Sequence, residues 1–321
     1  MAFPVDASGF RETVLIEPLK AAATMRSARR FQLSYINLMV GIGVALYLAV
    51  LIFPLLLSFF YSLTNFNLLR ATNSFVGASN YLALLNDDTF VASLLFTLKI
   101  SLSVTLAANV LGLLIALALN HTGPFYAVLR TVFFVPQVLS AVVIGFIWGG
   151  MLNSQRGLVN TLLRQLGLIG AAGDISWLGT PGLATLSVIV VCIWQMVGFC
   201  AVVYLAALQS VPADLEDAAT VDGANRWQKF RNVTFPLLAP GVTVNVILLL
   251  IMMFKLYDII LVMTAAGPAG TTESLAFYIT RMAFTDNRVG YASAMAVVLF
   301  VSIAIISACL GAFLRSREVE Y

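Results

Sequence analysis

The sequence predicts an all-α integral membrane fold, and three features lead to it. Hydrophobic residues make up 60% of the 321 and charged residues 10%, with a mean hydropathy of +0.96. An ordinary soluble domain carries about 25% charged residues, so this chain has too little polar surface to enclose its apolar residues in one aqueous core. The apolar residues also gather into six runs, each near the ~20 residues that cross a bilayer as a helix. Finally, Lys and Arg are unevenly shared between the segments that join those runs.

The first 34 residues are polar and basic, with Arg26, Arg29 and Arg30 clustered before the first run. That run is too long for the core of a signal peptide, so no cleavable signal is expected. The six expected spans are residues 36–61, 94–119, 132–153, 183–206, 241–264 and 290–313. An even number of spans puts both termini on one side, and the basic excess places that side in the cytoplasm. The expected organisation is a cytoplasmic tail over 1–34, one membrane domain over 35–314 and a cytoplasmic tail over 315–321. Outside, 62–93 and 154–182 form moderate loops, and Asn160 to Leu168 reads as a short amphipathic surface helix. Trp148 and Trp177 fall where interfacial aromatics are expected.

Several function classes drop out. A net charge of +3 is too small to imply a nucleic-acid partner. Cys192, Cys200 and Cys309 sit in apolar runs without paired spacing and read as buried thiols. His121, the single histidine, lies beside Gly123-Pro124 and reads as a turn residue. No Gly-x4-Gly-Lys-Ser/Thr phosphate loop occurs, and no catalytic constellation is found, so the chain is not expected to be an enzyme.

One inner loop stands out. Residues 207–240 form a long polar segment between the fourth and fifth spans. Val211-Pro212-Ala213-Asp214 is a helix start, with acids in the first turn. Asp222-Gly223 ends that helix, and a second is expected from about Asn225 to Val233. Pro236 and Pro240 stiffen the return into the fifth span. The result is a protruding knob that a partner protein can push and pull.

The knob resembles the EAA loop of ABC importer permeases: Glu-Ala-Ala, three residues, Gly, nine residues, Ile, one residue, Leu-Pro. Here the same spacing holds Asp217-Ala218-Ala219, Gly223, Val233 and Phe235-Pro236. Further stretches resemble the carbohydrate, maltose-permease-like branch. These are Phe75-Val76-Gly77 with Asn80-Tyr81, Pro136, Ile193-Trp194-Gln195, Ala207-Leu208-Gln209, Tyr257-Asp258, Gly267-Pro268 and Gly290 to Ala294. One departure is Ala265-Ala266, where the family usually has a second glycine. The resemblance implies a subunit of a solute-binding-protein-dependent sugar importer in the bacterial inner membrane. It implies a second homologous permease subunit, two cytoplasmic ATPase subunits that bind ATP and Mg, an extracytoplasmic solute-binding protein and the lipid around them. No cofactor is expected in this chain. The resemblance assigns ATPase coupling to Asp217, Ala218, Ala219, Asp222, Gly223, Ala224, Phe230 and Pro236. The other reading is a stand-alone secondary transporter, which would have no need of the knob.

Polar residues deep in a membrane face a cavity or a partner. Gln195, beside Trp194, suits a sugar: an amide for hydroxyls and an aromatic face for C–H surface. The alternative is a hydrogen bond to a neighbouring helix. In the fifth span, Asn245, Lys255, Tyr257 and Asp258 are further candidates for the substrate path. Lys255 and Asp258, at i and i+3, are expected on one helix face, either as an ion pair or as substrate contacts. Lys99 is expected to reach out to water, and Asn109 to bond a neighbouring helix.

Overall fold

The computed structural model describes residues 37–70, 73–170, 173–316 and 318. The basic N-terminal segment and most of the expected C-terminal tail lie outside the described residues. The chain divides into two units, residues 1–58 and 59–321.

Among the described residues the structure is helical, with no strand beyond a single bridge between Thr64 and Phe75. Four helices are long and apolar enough to cross a membrane: α1 (Asn37–Ser62), α3 (Asp88–Leu119), α7 (Pro181–Gln209) and α13 (Val289–Arg315). α2 (Ser79–Leu84) precedes α3, and α6 (Leu158–Gln165) is the short helix expected after Asn160, begun two residues earlier. Asn160 is its anchor: the Nδ2 donates to the carbonyls of Ser154 and Ile175, and the Oδ1 accepts from Trp177 Nε1 at 2.8 Å.

The third and fifth expected spans are not continuous helices. Residues 132–153 fall across α4 (Pro124–Val138) and α5 (Ala141–Met151), which bend by 97°. Pro136 has no N–H to give to the preceding turn, and the helix ends two residues later. Leu139 and Ser140 are extended, with ψ of 141° and 136°. The fifth span starts as α10 (Ala239–Phe254), unwinds over Lys255 to Tyr257 and resumes as α11 (Asp258–Met263). No Pro or Gly marks this second break. The freed carbonyl of Leu256 instead accepts the Ser274 hydroxyl at 2.6 Å, and the Tyr257 ring lies 5.8 Å from Phe277. Ser274 caps α12 (Leu275–Thr280) by accepting from the Phe277 amide. If each bent pair is one span, the total is six.

Prolines elsewhere are absorbed differently. A π-turn over Leu48–Ile52 precedes Pro54, and another over Phe230–Thr234 precedes Pro236. In both, the residue just before the proline donates five residues back, so the ring fits without breaking the helix.

The core of the larger unit forms where α3, α7 and α10 meet. Ile100, Val104, Ala108, Val188, Val191, Cys192 and Leu249 are wholly enclosed. Polar glue runs through it, with Tyr204 Oη donating to Asn109 Oδ1 at 2.7 Å and Asn245 Nδ2 to the Cys200 carbonyl at 3.2 Å. At the C-terminal end of α10 a second cluster packs Leu250 and Phe254 against Leu84, Phe90, Tyr278 and Tyr291.

Candidate functional site

Both helix breaks open onto one cleft of about 210 Å³. Gln137 and Ala141 come from either side of the α4–α5 break. Lys255, Leu256, Tyr257 and Asp258 come from the α10–α11 break, and Gln195 and Met196 from mid-α7. Non-helical backbone at membrane depth is tolerated where it is buried in protein or lines a cavity, because its polar groups need partners. Discontinuous helices are a recurring way to build a solute site in transporters.

The polar tips in this cleft are free. Among the described residues, the buried Gln195 makes no hydrogen bond and the buried Gln137 Oε1 has no partner. Lys255 and Asp258 are exposed. They do not form the expected i, i+3 pair, because the helix unwinds between them. The ion pairs among the described residues are Arg164–Asp174 and Arg281–Glu273. Two amides, an ammonium, a carboxylate and a phenol thus face a small space with unused hydrogen-bonding capacity. Such a site can bind a polar, hydroxyl-bearing solute. Gln137 was missed in the sequence, although its place directly after Pro136 was a usable signal.

Trp194 and Asn245 are not brought to this cleft. Successive residues on a helix point about 100° apart. Trp194 therefore faces an apolar groove with Leu111, Ile115 and Val190, its ring 5.5 Å from that of Trp148. Asn245 is fully buried against α7.

The knob is a second candidate site. α8 (Ala213–Val221) ends at Asp222, and Gly223 turns the chain with φ of +79°. Asn225 and Gln228 form a reciprocal capping box that starts α9 (Arg226–Leu237). The expected second helix thus runs further than Val233, through the π-turn. Glu216 Oε1 accepts from the Thr234 hydroxyl at 3.2 Å and ties the two helices together. Asp217, Ala218, Asp222 and Gly223 are exposed; Ala219, Ala224 and Pro236 are half-buried. Phe230 is also half-buried, between Trp227 and Phe235, with ring centroids 5.8 Å away on each side. The sequence reading missed the apolar tip, where Val221 is 87% and Trp227 65% exposed.

Residues 108–318, which include the cleft and the knob, match the family described as binding-protein-dependent transport system inner membrane component. The chain belongs to that family. Among curated relatives, this permease is 34% identical to the probable starch degradation products transport system permease AmyD of Thermoanaerobacterium thermosulfurigenes. That match covers 84% of this chain and 90% of the relative. It is 33% identical to the trehalose/maltose transport system permease MalF of Thermococcus litoralis, over 89% and 96% of the two chains. Its fold is shared with a chain of a bacterial ABC transporter that imports the acidic polysaccharide alginate. The TM-score is 0.77 at 22% identity, covering 92% of this permease and 99% of that chain.

Proposed function

We propose that this permease is the translocating subunit of an ATP-driven importer for a sugar or sugar derivative. It has six spans with both termini cytoplasmic, residues 35–314 forming the membrane domain between the tails 1–34 and 315–321. The carrying observation is the convergence of two helix breaks and Gln195 on one cleft of unpaired polar groups. In this reading Gln137, Gln195, Lys255, Tyr257 and Asp258 contact solute as access alternates. Asn245 and Trp194 support the helices around the path.

The knob, in the same reading, is gripped on the cytoplasmic side by one of two separate ATPase subunits, which hold the ATP and Mg. Asp217 and Asp222 offer charge, and Ala218, Val221 and Trp227 offer a surface a partner can cover. A second permease subunit completes the membrane path, a solute-binding protein delivers the sugar, and lipid surrounds the spans. Relatives that carry trehalose/maltose and starch degradation products support the sugar class. The knob argues against a stand-alone secondary transporter, because such a protein has no motor to grip.

Gln195→Leu keeps the volume and removes the amide. Losing one or two hydrogen bonds at roughly 0.5–1.5 kcal/mol each should lower sugar uptake several-fold to tenfold or more, with normal protein abundance and ATPase co-purification. Normal uptake in both Gln195→Leu and Gln137→Leu would remove the cleft from the path.

A further inference from the structure

A polar cleft of about 290 Å³, sharing no lining residue with the sites above, is formed by Asn65, Phe66, Asn67, Arg70, Asn80, Arg288 and Tyr291. We infer that it is an anion-receiving site that takes a carboxylate side chain of the solute-binding protein. The inference rests on the proposed function, because it needs that protein to be the partner on this face.

Its position follows from α10. The knob leads into the N-terminal end of α10, while Phe254 at its other end packs with Tyr291, a wall of the cleft. Sixteen helical residues span about 24 Å, so the cleft and the knob lie at opposite ends of this helix. If the knob meets the ATPase, the cleft faces the side from which solute is delivered.

Its lining is rich in donors and carries two guanidiniums without a carboxylate. Asn65 Oδ1 already accepts from the Ser74 amide, and Asn67 Oδ1 from the Leu69 amide. Their Nδ2 groups make no hydrogen bond among the described residues. Asn80 spends its Nδ2 on the carbonyls of Ser62 and Thr64, which fixes the floor, and the Gly290 amide pins Phe66 by donating to its carbonyl. Arg70 and Arg288 are exposed and have no carboxylate partner among the described residues. Arg288 is held over the Tyr291 ring, 4.5 Å from its centroid.

Two of the nearby acids are otherwise engaged, and the exposed Asp286, two residues before Arg288, forms no ion pair with either arginine among the described residues. Glu273 pairs with Arg281 at 3.0 Å. Asp87 Oδ2 accepts from Tyr278 at 2.7 Å and Tyr291 at 2.6 Å, and its Oδ1 from the amides of Thr89 and Phe90. Burial alone would raise the Asp87 carboxyl, but these donors outweigh it and hold it below the ordinary carboxylate range. Two unpaired guanidiniums, one of them held over Tyr291, match a carboxylate together with the spare amide donors, because a carboxylate accepts from both.

The test uses the complete transporter in lipid nanodiscs with the solute-binding protein that stimulates its ATP hydrolysis. Arg70→Gln is the cleaner variant, because the Arg70 side chain makes no hydrogen bond or ion pair among the described residues; Arg288→Gln is the companion. Each should weaken binding of the solute-binding protein by roughly tenfold and flatten its salt dependence. Arg70→Glu should weaken it further and Arg70→Lys should recover part of the loss. Unchanged affinity and salt dependence in Arg70→Gln, Arg70→Glu and Arg288→Gln would overturn the inference while leaving the proposed function standing. Saturable binding of acetate to the transporter alone, with those variants abolishing it but leaving protein affinity intact, would also overturn it, in favour of a free-anion site. If no solute-binding protein stimulates hydrolysis by the wild-type complex, the proposed function itself fails.

Discussion

The knob and the central cleft are built in opposite ways. The knob is one continuous segment whose shape is set by neighbours in sequence. An acidic first turn, a left-handed Gly223, a reciprocal Asn225–Gln228 cap and a π-turn before Pro236 define it in about 25 residues. The cleft takes residues from three separate segments, around Gln137, Gln195 and Lys255; the first and last are aimed by helices that stop or unwind there, and Gln195 by the unbroken α7. A local device of this kind tolerates changes around it. A site assembled at a distance depends on how closely its helices approach one another.

The sharpest way to break the comparison is at Gly198, one turn beyond Gln195 on α7. A Cβ there would land on the backbone carbonyl of Phe133, one turn before Gln137. Since backbone cannot give way as a side chain does, Gly198→Ala should force α4 and α7 apart. The expected cost is about 1–3 kcal/mol, read as lower yield and thermal stability in detergent, with uptake lost in the surviving fraction. A Gly198→Ala protein of normal stability and uptake would mean that the cleft does not depend on this close approach.

Gly223 predicts a different outcome. A Cβ there meets nothing within 4 Å, so only the positive φ matters, not crowding. Gly223→Val should cost about 1–2 kcal/mol locally and leave the membrane helices intact. The readout is coupling: ATPase co-purification or hydrolysis per sugar imported should suffer in Gly223→Val. Gly223→Asn should do much better, because Asn tolerates the left-handed region. Equal damage from both would show that the position needs smallness rather than conformation.

The smallest effect is a gain. Ala265 and Ala266 follow α11 with φ of 48° and 76°, a region alanine enters at a cost. These are the positions where the family resemblance leads one to expect a second glycine. Ala265 is exposed, so Ala265→Gly removes the strain without losing buried surface. The strain relieved, about 1–2 kcal/mol, exceeds the ~0.4–1 kcal/mol of added unfolded-state entropy. Thermal melts should therefore show a small stabilisation, and a fall in melting temperature would refute the strain.

Much of this was legible in the chain. Hydropathy alone located the long helices α1, α3, α7 and α13 to within a few residues, except at the start of α3. There Asp87 accepts from the amides of Thr89 and Phe90 and begins the helix before its apolar run does. The knob was legible because its signals are local: a proline before the first turn, a glycine between two helices and spaced acids. Pro136 hinted at the first break. Nothing in Phe254-Lys255-Leu256-Tyr257 announced the second, since the partner of the freed Leu256 carbonyl is a donating hydroxyl 18 residues away. The aim of Gln195 and Trp194 was also hidden. Periodicity assigns them different faces but does not say which neighbour each face meets, and packing sent the amide to the cleft and the indole to Trp148. Composition and local backbone preference thus determined the membrane environment, most spans and the knob, because bilayer thickness and left-handed turns act on a few consecutive residues. The cleft was decided by tertiary structure, because unpaired backbone at membrane depth persists only where distant side chains converge to satisfy it.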